Sequence, residues 1–280
     1  MNQILQKKFA QEFLKMHNRK PILRLANAWD VASAKIFELA GAKAIGTTSS
    51  GMSAAWGYPD GENIHLDEML QMCGRMAMEV PLPLSVDLES GFGKDIKAVL
   101  NSVDKVLKIG AVGINIEDVD RSDQSSLYDM ALQIDKLKAI RERANSANIP
   151  LVINARTDVF LLSKDDKDKK LSDAIARGNH YREAGADCIF IVGTGGLPIS
   201  EIKRLVQEID APINIYVGPA HPPIEALEDI GVARVSFGAQ AMRSLLAKLN
   251  LIAEELLNDK ELELMFDSGY SDDDLNRWFQ

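Results

Sequence analysis

Acidic side chains and one arginine come at the ends of three successive apolar runs of the sequence. The third run is followed by Asp87 and Glu89, the fourth by Glu117, and the fifth by Arg156 and Asp158. In extended backbone, side chains two positions apart point the same way, so Asp87 and Glu89 can converge. Carboxylates together with water suit a hard cation such as Mg²⁺, and a guanidinium can hold a carboxylate through two parallel hydrogen bonds. The pattern predicts a divalent-metal site with a cationic partner for an acidic small molecule.

Each of these residues also has a purely structural interpretation. The acids can cap the helices that follow them or pair with Arg156. Arg156 itself can form a structural salt bridge with Asp158 or Glu117. Three acids around one position favour the metal, with Asp87, Glu89 and Glu117 as its ligands.

Other segments contain residues that could bind or react with a ligand. Segment 47–53 combines small hydroxyl residues with glycine, which would let backbone N–H groups approach an anion. Asp60 lies in segment 57–62, which has the composition of a turn. Segment 193–196 is rich in glycine and could bind phosphate, and His221 is the only histidine near a strand end. For Asp60 and His221, a loop position without a catalytic role is the simpler interpretation.

Eight short apolar runs, each followed by a helical pattern, must position these residues. We predict strands at 22–26, 44–48, 84–87, 112–116, 151–155, 188–192, 213–217 and 233–237. We predict helices after them at 31–39, 66–78, 94–109, 132–145, 165–184, 199–209, 224–229 and 240–257. The strands show little polar alternation, as expected when both faces of a parallel sheet are covered. The eightfold alternation predicts a (β/α)8 TIM barrel with its chemistry at the C-terminal mouth, and a doubly wound open sheet is the alternative.

The chain is predicted to form a single barrel domain over residues 1–280. Residues 1–20 would contain an amphipathic helix at 2–17, residues 21–257 would form the barrel, and residues 258–280 would form a C-terminal helical extension. The apolar face of the first helix is predicted to comprise Ile4, Leu5, Phe9, Phe13 and Leu14.

The last helix and the tail contain more apolar surface than one barrel can cover. Leu275, Trp278 and Phe279 fall at i, i+3 and i+4 and form one apolar stripe, and the helix at 240–257 has apolar residues on more than one face. Exposed patches of this kind usually mark interfaces. We therefore predict a homo-oligomer, a dimer or a tetramer, in which the chain after Gly238 packs on a neighbouring subunit. Docking of the tail on its own barrel is the alternative.

The composition argues against several classes of partner. The 280 residues include 41 acidic and 32 basic side chains, for a net charge of −9, without a basic stripe interleaved with aromatic residues, so we expect no nucleic-acid partner. No window approaches ~18 uninterrupted apolar residues, so we expect no membrane span. The first twenty residues lack the apolar core of a signal peptide, and Cys73 and Cys188 belong to no metal or disulfide pattern. These observations predict a cytoplasmic protein.

As a set, six motifs resemble those of the isocitrate lyase / phosphoenolpyruvate mutase superfamily. They are Asn27-Ala28-Trp29-Asp30, Ser49-Ser50-Gly51, Gly57-Tyr58-Pro59-Asp60, Asp87-x-Glu89-x-Gly91-Phe92-Gly93, Asn115-Ile116-Glu117-Asp118 and Asn154-Ala155-Arg156-Thr157-Asp158. The resemblance extends from the first predicted strand to the eighth. It implies a barrel enzyme that binds Mg²⁺, or Mn²⁺ in its place, and a small-molecule 2-oxo-carboxylate or its enolate.

The same resemblance implies how the metal would be held. Asp87 would bind it directly, whereas Glu89 and Glu117 would act mainly through water molecules. Members of the superfamily commonly form tetramers built from dimers that exchange a C-terminal helix, which agrees with the apolar surface of the last helix.

The resemblance also implies which residues contact the substrate. Ser50, Gly51 and Met52 match the loop that binds the substrate carboxylate, and Arg156 matches the arginine that contacts the substrate. Asp60 matches the acid of the loop after the second strand. Arg156 and Asp60 are therefore the candidate catalytic residues.

The loop after the fourth strand departs from the superfamily pattern. Lyases have a Lys-Lys-Cys-Gly-His loop there, whose Cys is the catalytic acid or base, and phosphonomutases have Lys and Asn. Here residues 119–127 contain no Cys or His, and the matching positions are Val119, Asp123 and Ser125. The loop therefore argues against isocitrate-type cleavage by that mechanism and against phosphoryl transfer.

The sequence predicts a Mg²⁺-dependent lyase-type enzyme that acts on a small 2-oxo-dicarboxylate. Decarboxylation of an oxaloacetate-like acid, or cleavage of a C–C bond, would leave an enolate whose oxygen the metal stabilises. The alternatives are a C–C lyase of the methylisocitrate type and an enzyme of the phosphonate or phosphoenolpyruvate mutase type. From another class, the chain could be a barrel that binds a phosphorylated ligand at 193–196, or a non-catalytic ligand-binding barrel.

Overall fold

Eight parallel strands close into a barrel in the order of the sequence. The computed structural model describes residues 2–18, 20–123, 126–258, 262–266 and 269–280. The strands are β1 Leu23–Ala28, β2 Ile45–Thr47, β3 Leu84–Asp87, β4 Gly113–Glu117, β5 Val152–Thr157, β6 Cys188–Ile191, β7 Ile213–Tyr216 and β8 Arg234–Ser236. Pairing of β1 with β8 closes the sheet, which confirms the predicted (β/α)8 barrel and excludes the open sheet.

Helices alternate with the strands, and most lie where the sequence predicts them. They are α1 Gln3–Met16, α2 Val31–Leu39, α3 Ser49–Ala55, α4 Leu66–Glu79, α5 Ile96–Lys108, α6 Met130–Ser146, α7 Val159–Leu162, α8 Lys167–Glu183, α9 Ile199–Glu208, α10 Ile224–Asp229, α11 Gln240–Leu257, α12 Glu263–Phe266 and α13 Asp272–Arg277. No helix within the described ranges is long and apolar enough to cross a membrane.

Side-chain caps and left-handed glycines set several helix boundaries. The side chains of Asp30 and Asp95 accept hydrogen bonds from backbone N–H groups in the first turns of α2 and α5. Gly41, Gly110 and Gly185 adopt φ values of 91°, 93° and 106° just after a helix, where a side chain would be strained. Local sequence therefore determines where the chain leaves each helix and enters the next strand.

The short helix α3 was not predicted. Segment 47–53 was expected to be an anion-binding loop after β2, but residues from Ser49 onward are helical, and the side chain of Thr48 accepts a hydrogen bond from Gly51 N at 3.4 Å. Its serine, glycine and alanine residues lack the apolar periodicity from which a helix is recognised. Ser125, one of the positions compared above, lies outside the described residues.

The N-terminal helix α1 is confirmed, but the face that it buries differs from the prediction. Gln6, Ala10 and Phe13 are buried, whereas Ile4 is 84% exposed. Gln6 Nε2 donates to the carbonyls of Leu107 and Ala111 at 2.8 and 2.9 Å, so a polar residue lies on the packed face. A pattern of hydrophobicity alone cannot identify such a residue.

The C-terminal elements have a largely exposed apolar surface. Met242 is the buried residue of α11, while Leu245, Leu246 and Leu249 of the same helix are 56%, 48% and 57% exposed. In the tail, the Trp278 ring contacts the Tyr270 ring edge to face, with centroids 4.9 Å apart. The predicted helical tail is thus present as α12 and α13, and the predicted assembly stays a prediction.

Candidate active site

Two adjoining cavities form the mouth of the barrel at the C-terminal ends of the strands. The central cavity, about 630 Å³ with its solvent-open part, is lined by Asn27, Thr48, Ser49, Ser50, Asp60, Asp87, Asn115, Arg156, Phe190, Val192, Tyr216, Ser236, Gly238, Ala239 and Arg243. The side cavity, about 470 Å³, is lined by Ser49, Asp60, Glu89, Glu117, Val119, Arg121, Arg156, Asp158 and Leu162. Ser49, Asp60 and Arg156 line both cavities, so a ligand in one lies next to the other.

Asp87, the last residue of β3, directs a carboxylate into the central cavity. Its backbone N–H donates to Thr47 Oγ1 at 2.8 Å, and its Oδ2 accepts from the backbone N–H of Ser49 at 3.1 Å. Its other oxygen, Oδ1, is buried and has no hydrogen-bond partner among the described residues. Such an oxygen is costly to bury unless a cation or water binds it.

Glu89 lies on the side cavity, and its backbone geometry differs from the one expected from the sequence. The strand ends at Asp87, and Glu89 adopts φ 49° in the left-handed region, so the two side chains are not related by strand alternation. Glu89 Oε2 accepts from Glu62 N and from Arg121 Nη2, both at 2.8 Å. Its Oε1 is buried without a partner in the described part of the chain.

Arg121, in the loop after β4, is a site residue that was not predicted from the sequence. Its guanidinium contacts Glu117 Oε1 and lies 2.8 Å from Glu89 Oε2, so it bridges two of the predicted metal ligands. In this loop, the Cys and His of the lyases and the Lys and Asn of the phosphonomutases were considered, and Arg121 matches none of them. The sequence signal that could have identified Arg121 is a basic residue four positions after Glu117, the acid at the end of β4.

Arg156 is held by two acids. Its Nε and Nη2 donate to the two oxygens of Asp158, both at 2.6 Å, and its Nη1 is 3.0 Å from Glu117 Oε2. The structural salt bridges considered for Arg156 are therefore present. A guanidinium has five N–H donors, so two have no partner among the described residues, and Arg156 lines both cavities.

The acids at the ends of β3 to β5 lie close enough to shift one another's pKa. Burial raises the pKa of Glu89 to about 8, and the charges of Glu117 and Asp87 add to this effect. Burial also raises the pKa of Glu117, although Arg156 and Arg121 oppose the shift. The ionised forms of these acids therefore disfavour one another, and a cation bound between them would relieve that repulsion.

The residues present fit a cation that keeps part of its water shell. Among the described residues, no three His, Cys, Asp or Glu side chains converge closely enough to hold a metal by themselves. The unpartnered oxygens of Asp87 and Glu89 nevertheless lie at the mouth, and Mg²⁺ commonly takes one or two carboxylates and several waters.

The three residues predicted to bind the substrate carboxylate lie in the first turn of α3. Ser50 lines the central cavity. Met52 is fully buried, with its sulfur 4.0 Å from Cys73 Sγ, so its side chain does not reach the mouth. A Cβ on Gly51 would lie 2.7 Å from Thr48 Cγ2, so glycine is required for the close packing there.

The loop between α3 and α4 covers the mouth and is tied to the loop after β3. Asp60 is exposed, lines both cavities and accepts a hydrogen bond from Gly61 N at 3.1 Å. Glu62 Oε1 accepts from the backbone N–H groups of Ser90 and Phe92 and from the Ser90 hydroxyl at 2.9, 3.0 and 2.7 Å. With the bond from Glu62 N to Glu89, four hydrogen bonds join the two loops.

The opposite side of the central cavity is apolar. Phe190 of β6, Val192 just after it and Tyr216 of β7 line the cavity, and we call these three residues the apolar wall. The Tyr216 hydroxyl accepts from Gln240 Nε2 at 2.7 Å, which holds the ring in place. Arg243 of α11 also lines the cavity, and its guanidinium forms no ion pair within the part of the chain that the structure describes.

Two other sequence candidates lie outside this mouth. Neither segment 193–196 nor His221 lines the central or the side cavity. The ring of His221 contacts the carbonyl of Pro222 within its own loop.

The comparison with known families agrees with this geometry. The family model described as phosphoenolpyruvate phosphomutase matches residues 13–257. The chain belongs to this family. The superfamily predicted from the motifs is therefore confirmed, and the family's members are enzymes, among them lyases and mutases.

Individual relatives share about a third of their residues or fewer with this chain. An uncharacterized protein of Mycobacterium tuberculosis is 34% identical over 233 residues, which cover 81% of each protein. The 2-methylisocitrate lyase of Halalkalibacterium halodurans is 29% identical over 215 residues, or 74% of this chain and 67% of the lyase.

Solved structures share the barrel. A proposed lyase/mutase from Burkholderia cenocepacia J2315 superposes with a TM-score of 0.88 at 30% identity, covering 98% of this chain and 97% of that one. The 2,3-dimethylmalate lyase of the same superfamily superposes with a TM-score of 0.84 at 20% identity, covering 97% and 94% of the two chains, which shows the shared fold.

Proposed function

We propose that this protein is a Mg²⁺-dependent lyase-type enzyme that acts on a small 2-oxo-dicarboxylate, by decarboxylation of an oxaloacetate-like acid or by cleavage of a C–C bond. One observation carries the proposal: a buried, unpartnered oxygen of Asp87 and the guanidinium of Arg156 line the same cavity. A 2-oxo acid presents a carbonyl and a carboxylate side by side. A cation site next to a guanidinium can hold both.

The charged residues at the ends of β3 to β5, which we call the charged side of the mouth, would have distinct roles. Asp87 would bind the cation directly, and Glu89 and Glu117 would bind its water molecules. When bound, the cation would supply charge stabilisation for the enolate oxygen that develops as the bond breaks. Arg156 would orient the substrate carboxylate through its two remaining N–H groups, and Ser50 would line the position of that carboxylate.

The second carboxylate of the substrate has a candidate partner in Arg243. This arginine lines the central cavity from α11, on the far side of the barrel mouth from the acids. Arg156 is already paired with two acids, whereas Arg243 forms no ion pair with any described residue. Two guanidinium groups on one cavity support a dicarboxylate in preference to a monocarboxylate.

Decarboxylation agrees with the loop after β4. Loss of CO2 breaks one C–C bond and leaves its electron pair in an enolate, so it needs an electron sink but no general base to start. The enolate then takes a proton from water to give the 2-oxo acid product. The described part of this loop presents Arg121 to the mouth, and a guanidinium does not exchange protons at neutral pH. Cleavage of the methylisocitrate type would require another acid or base, for which Asp60 is the candidate at the mouth.

We further propose that the protein is a homo-oligomer whose subunits contact one another through α11. The exposed leucines of α11, together with Leu256 and Leu257 at 52% and 79% exposure, give this helix an exposed apolar surface of the kind that usually marks an interface. Sedimentation at micromolar concentration should show a dimer or a tetramer. The double variant Leu245→Ser, Leu249→Ser should shift the association equilibrium toward monomers. A monomeric wild-type protein would overturn the proposal.

The activity is tested with a panel of 2-oxo and 2-hydroxy di- and tricarboxylates in the presence of Mg²⁺. Released CO2 and pyruvate are measured against blanks that contain Mg²⁺ without protein, because the ion alone promotes decarboxylation of oxaloacetate. We expect turnover of a 2-oxo-dicarboxylate that excess chelator removes and added Mg²⁺ restores. Turnover that persists in excess chelator, or no turnover of any acid in the panel, would overturn the proposal.

A further inference from the structure

A buried guanidinium lies inside the barrel, one layer below the central cavity. Arg234 of β8 comes two residues before Ser236, which lines that cavity, and Arg234 is itself 1% exposed. TIM barrels usually fill this interior with branched apolar side chains. Arg234 forms no ion pair with any described residue, and an unpaired charge is costly to bury. Packing alone therefore does not explain an arginine in this position.

Three neutral groups contact the guanidinium of Arg234. Its Nε donates to Ser236 Oγ at 3.1 Å, its Nη2 donates to Asn115 Oδ1 at 3.4 Å, and its Nη1 lies 3.5 Å from Nε2 of His17. Asn115 belongs to β4, which is four strands away from β8 in the eight-stranded barrel. The side chain of Arg234 therefore crosses the barrel interior from one side to the other.

His17, at the end of α1, contacts Arg234 without neutralising its charge. The Nδ1 atom of His17 lies 2.9 Å from the carbonyl oxygen of Phe13, and a carbonyl only accepts, so the hydrogen of the neutral ring is on Nδ1. Nε2 is then the acceptor that faces Arg234. Burial, with the charge of Arg234 added to it, lowers the pKa of His17 to about 3, so the ring is neutral near pH 7. The positive charge of Arg234 is therefore free to act on the cavity above it.

Arg234 determines which way the Asn115 amide points. A guanidinium has donors and no acceptor, so the atom of Asn115 that faces it has to be Oδ1. The same oxygen accepts from Asn154 Nδ2 at 2.6 Å. Asn115 lines the central cavity, and its Nδ2 donates to no described residue. The amide therefore presents N–H donors to the cavity, whereas the reversed amide would present an acceptor there.

These donors lie next to the carboxylate that is expected to bind the cation. Asn115 and Asp87 are register partners on neighbouring strands, which are ~4.8 Å apart. Burial lowers the pKa of Arg234 to about 10, and Cys188 and Asp87 partly oppose the shift, so Arg234 and Asp87 act on each other through their charges. An anionic oxygen bound beside Asp87 would meet the N–H groups of Asn115 and the positive potential of Arg234 together.

We propose that Arg234 is a positioning residue for ligand binding. It holds the Asn115 amide with Nδ2 toward the cavity, where Nδ2 donates to an anionic oxygen of the bound acid, and its buried charge favours that anion. The inference rests on the proposed function for the position of the acid beside Asp87. It adds a donor and a positive charge from the barrel interior to the groups that the strand ends supply.

Opposite effects on a cation and an anion test the role of Arg234. Calorimetric titrations of the full-length protein would use Mg²⁺ alone, and then oxalate with saturating Mg²⁺, each against a blank without protein. Oxalate has the planar shape and the adjacent anionic oxygens of a 2-oxo acid enolate. In Arg234→Met the oxalate affinity should fall at least ~10-fold, because an oriented donor to an anion is lost. The Mg²⁺ affinity should stay the same or rise, because a nearby positive charge is removed.

A merely structural role of Arg234 predicts a different result. A distorted mouth would bind both Mg²⁺ and oxalate more weakly, so parallel losses in Arg234→Met would overturn the inference, as would an unchanged oxalate affinity. Arg204→Met is the matched control, since it removes a half-exposed cation that pairs with Glu208 on α9. It should leave both affinities unchanged.

A second variant keeps the packing of the barrel interior. Asn115→Asp has nearly the same shape and gives Arg234 an acid partner, so the protein should remain folded. The atom presented to the cavity becomes a carboxylate oxygen, so the oxalate affinity should again fall at least ~10-fold. Asn179→Asp adds the same charge on α8, where Asn179 bonds to the carbonyl of Glu208, and should have no effect. Wild-type affinity for oxalate in Asn115→Asp would mean that Nδ2 is not the donor, and the inference would be wrong.

The two proposals fail in different ways. If the variants behave as expected but no 2-oxo-dicarboxylate is turned over, the role of Arg234 stands and the proposed lyase activity falls. If a 2-oxo-dicarboxylate is turned over with Mg²⁺ but both variants bind oxalate as wild type does, the activity stands and the role of Arg234 falls. A wild-type protein that binds neither Mg²⁺ nor oxalate would overturn both. Thermal unfolding of each variant, measured beside wild type, shows whether it is folded at the titration temperature.

Discussion

The two sides of the barrel mouth hold their side chains by different means. From β3 to β5, charged groups are fixed by ion pairs, as in the paired hydrogen bonds from Arg156 to Asp158 at 2.6 Å. From β6 to β8, Phe190 is buried at the cavity and Tyr216 is fixed by one hydrogen bond. The first arrangement determines where ionised groups bind and where charge can develop. In the second, the apolar wall can select a ligand through its shape and its hydrocarbon surface, and Arg243 of α11 adds one charged group.

The charged side is also the side that is costly to fold. Glu89 and Glu117 are each 1% exposed, and each has a raised pKa because burial disfavours the ionised form. On the other side Phe190 adds buried hydrocarbon without such a cost, although β8 there also buries Arg234, whose pKa burial lowers to about 10. Changes on the charged side should therefore alter activity and stability strongly, whereas changes on the apolar side should alter the choice of substrate.

Removal of the Asp87 charge tests the charged side most severely. Asp87→Asn keeps the shape but removes the anionic ligand, so Mg²⁺-dependent turnover should fall by ~10³-fold or more, corresponding to ~4 kcal/mol of transition-state stabilisation. The control is Asp95→Asn, because Asp95 caps α5 away from the mouth and Asn is also a good cap. Turnover of the Asp87 variant close to that of wild type would remove the metal site from the proposal.

Removal of Arg121 should destabilise the metal-free protein. Arg121→Met would leave the buried carboxylates of Glu89 and Glu117 without one of their cations, so we expect a loss of ~2–4 kcal/mol in urea unfolding with chelator. Arg75→Met breaks a more exposed pair with Glu79 and should cost less than ~1 kcal/mol. Equal losses in the two variants would mean that the acids of the mouth do not need Arg121.

The shape of the Arg156 guanidinium is tested by a change that keeps its charge. Arg156→Lys retains a cation beside Glu117 but cannot pair with Asp158 through two bonds and present further donors to a ligand. We expect kcat/KM to fall by at least ~10-fold, or ~1.4 kcal/mol. Arg177→Lys is the matched control, because Arg177 pairs with buried Asp118 outside the two cavities. Unchanged kinetics for the Arg156 variant would make that residue structural.

The last test of the charged side is the pH dependence of stability. The pKa of the Glu89 carboxyl is about 8 in the folded protein, against 4.5 for a glutamate free of its surroundings. Between these two pH values the folded protein keeps a proton on Glu89 that the unfolded chain has lost. The stability of the metal-free protein should therefore decrease as the pH rises from about 5 to 8 and then level off. Thermal unfolding with chelator measures this.

Bound Mg²⁺ should counteract this loss of stability with rising pH. Because the cation favours the ionised carboxylates, the increase in Tm that it causes should grow as the pH rises over this range. Glu89→Gln should flatten the pH dependence in chelator. A rising Tm with pH in the metal-free wild type would contradict the raised pKa and weaken the contrast between the two sides.

The fold was predictable because the alternation of an apolar run with a helical pattern repeats eight times. Apolar runs, helix caps and left-handed glycines such as Gly110 all agree on the same boundaries. The exceptions have no periodic signal: α3 consists of small residues, and Gln6 on the buried face of α1 is polar. Gln6 is placed there by hydrogen bonds to the carbonyls of Leu107 and Ala111, which lie more than a hundred positions away in the sequence.

The site was predictable only as a set of residues at strand ends. Asp87, Glu117 and Arg156 do line the mouth, because barrel topology alone brings strand ends together. The contacts among them were not predictable, since they depend on loop conformation. The backbone of Glu89 is in the left-handed region, and Arg121 lies between Glu89 and Glu117. Neither feature follows from the spacing of residues in the sequence.

The hydrogen bonds of Glu62 have a consequence for how ligands enter the mouth. Because Glu62 joins the segment between α3 and α4 to the segment after β3 through four hydrogen bonds, neither segment can be displaced alone without breaking them. The two segments should therefore move as one rigid body, with a single rate of opening. Substrate entry and product exit past these segments would then share that one rate, and a change in either segment would alter both.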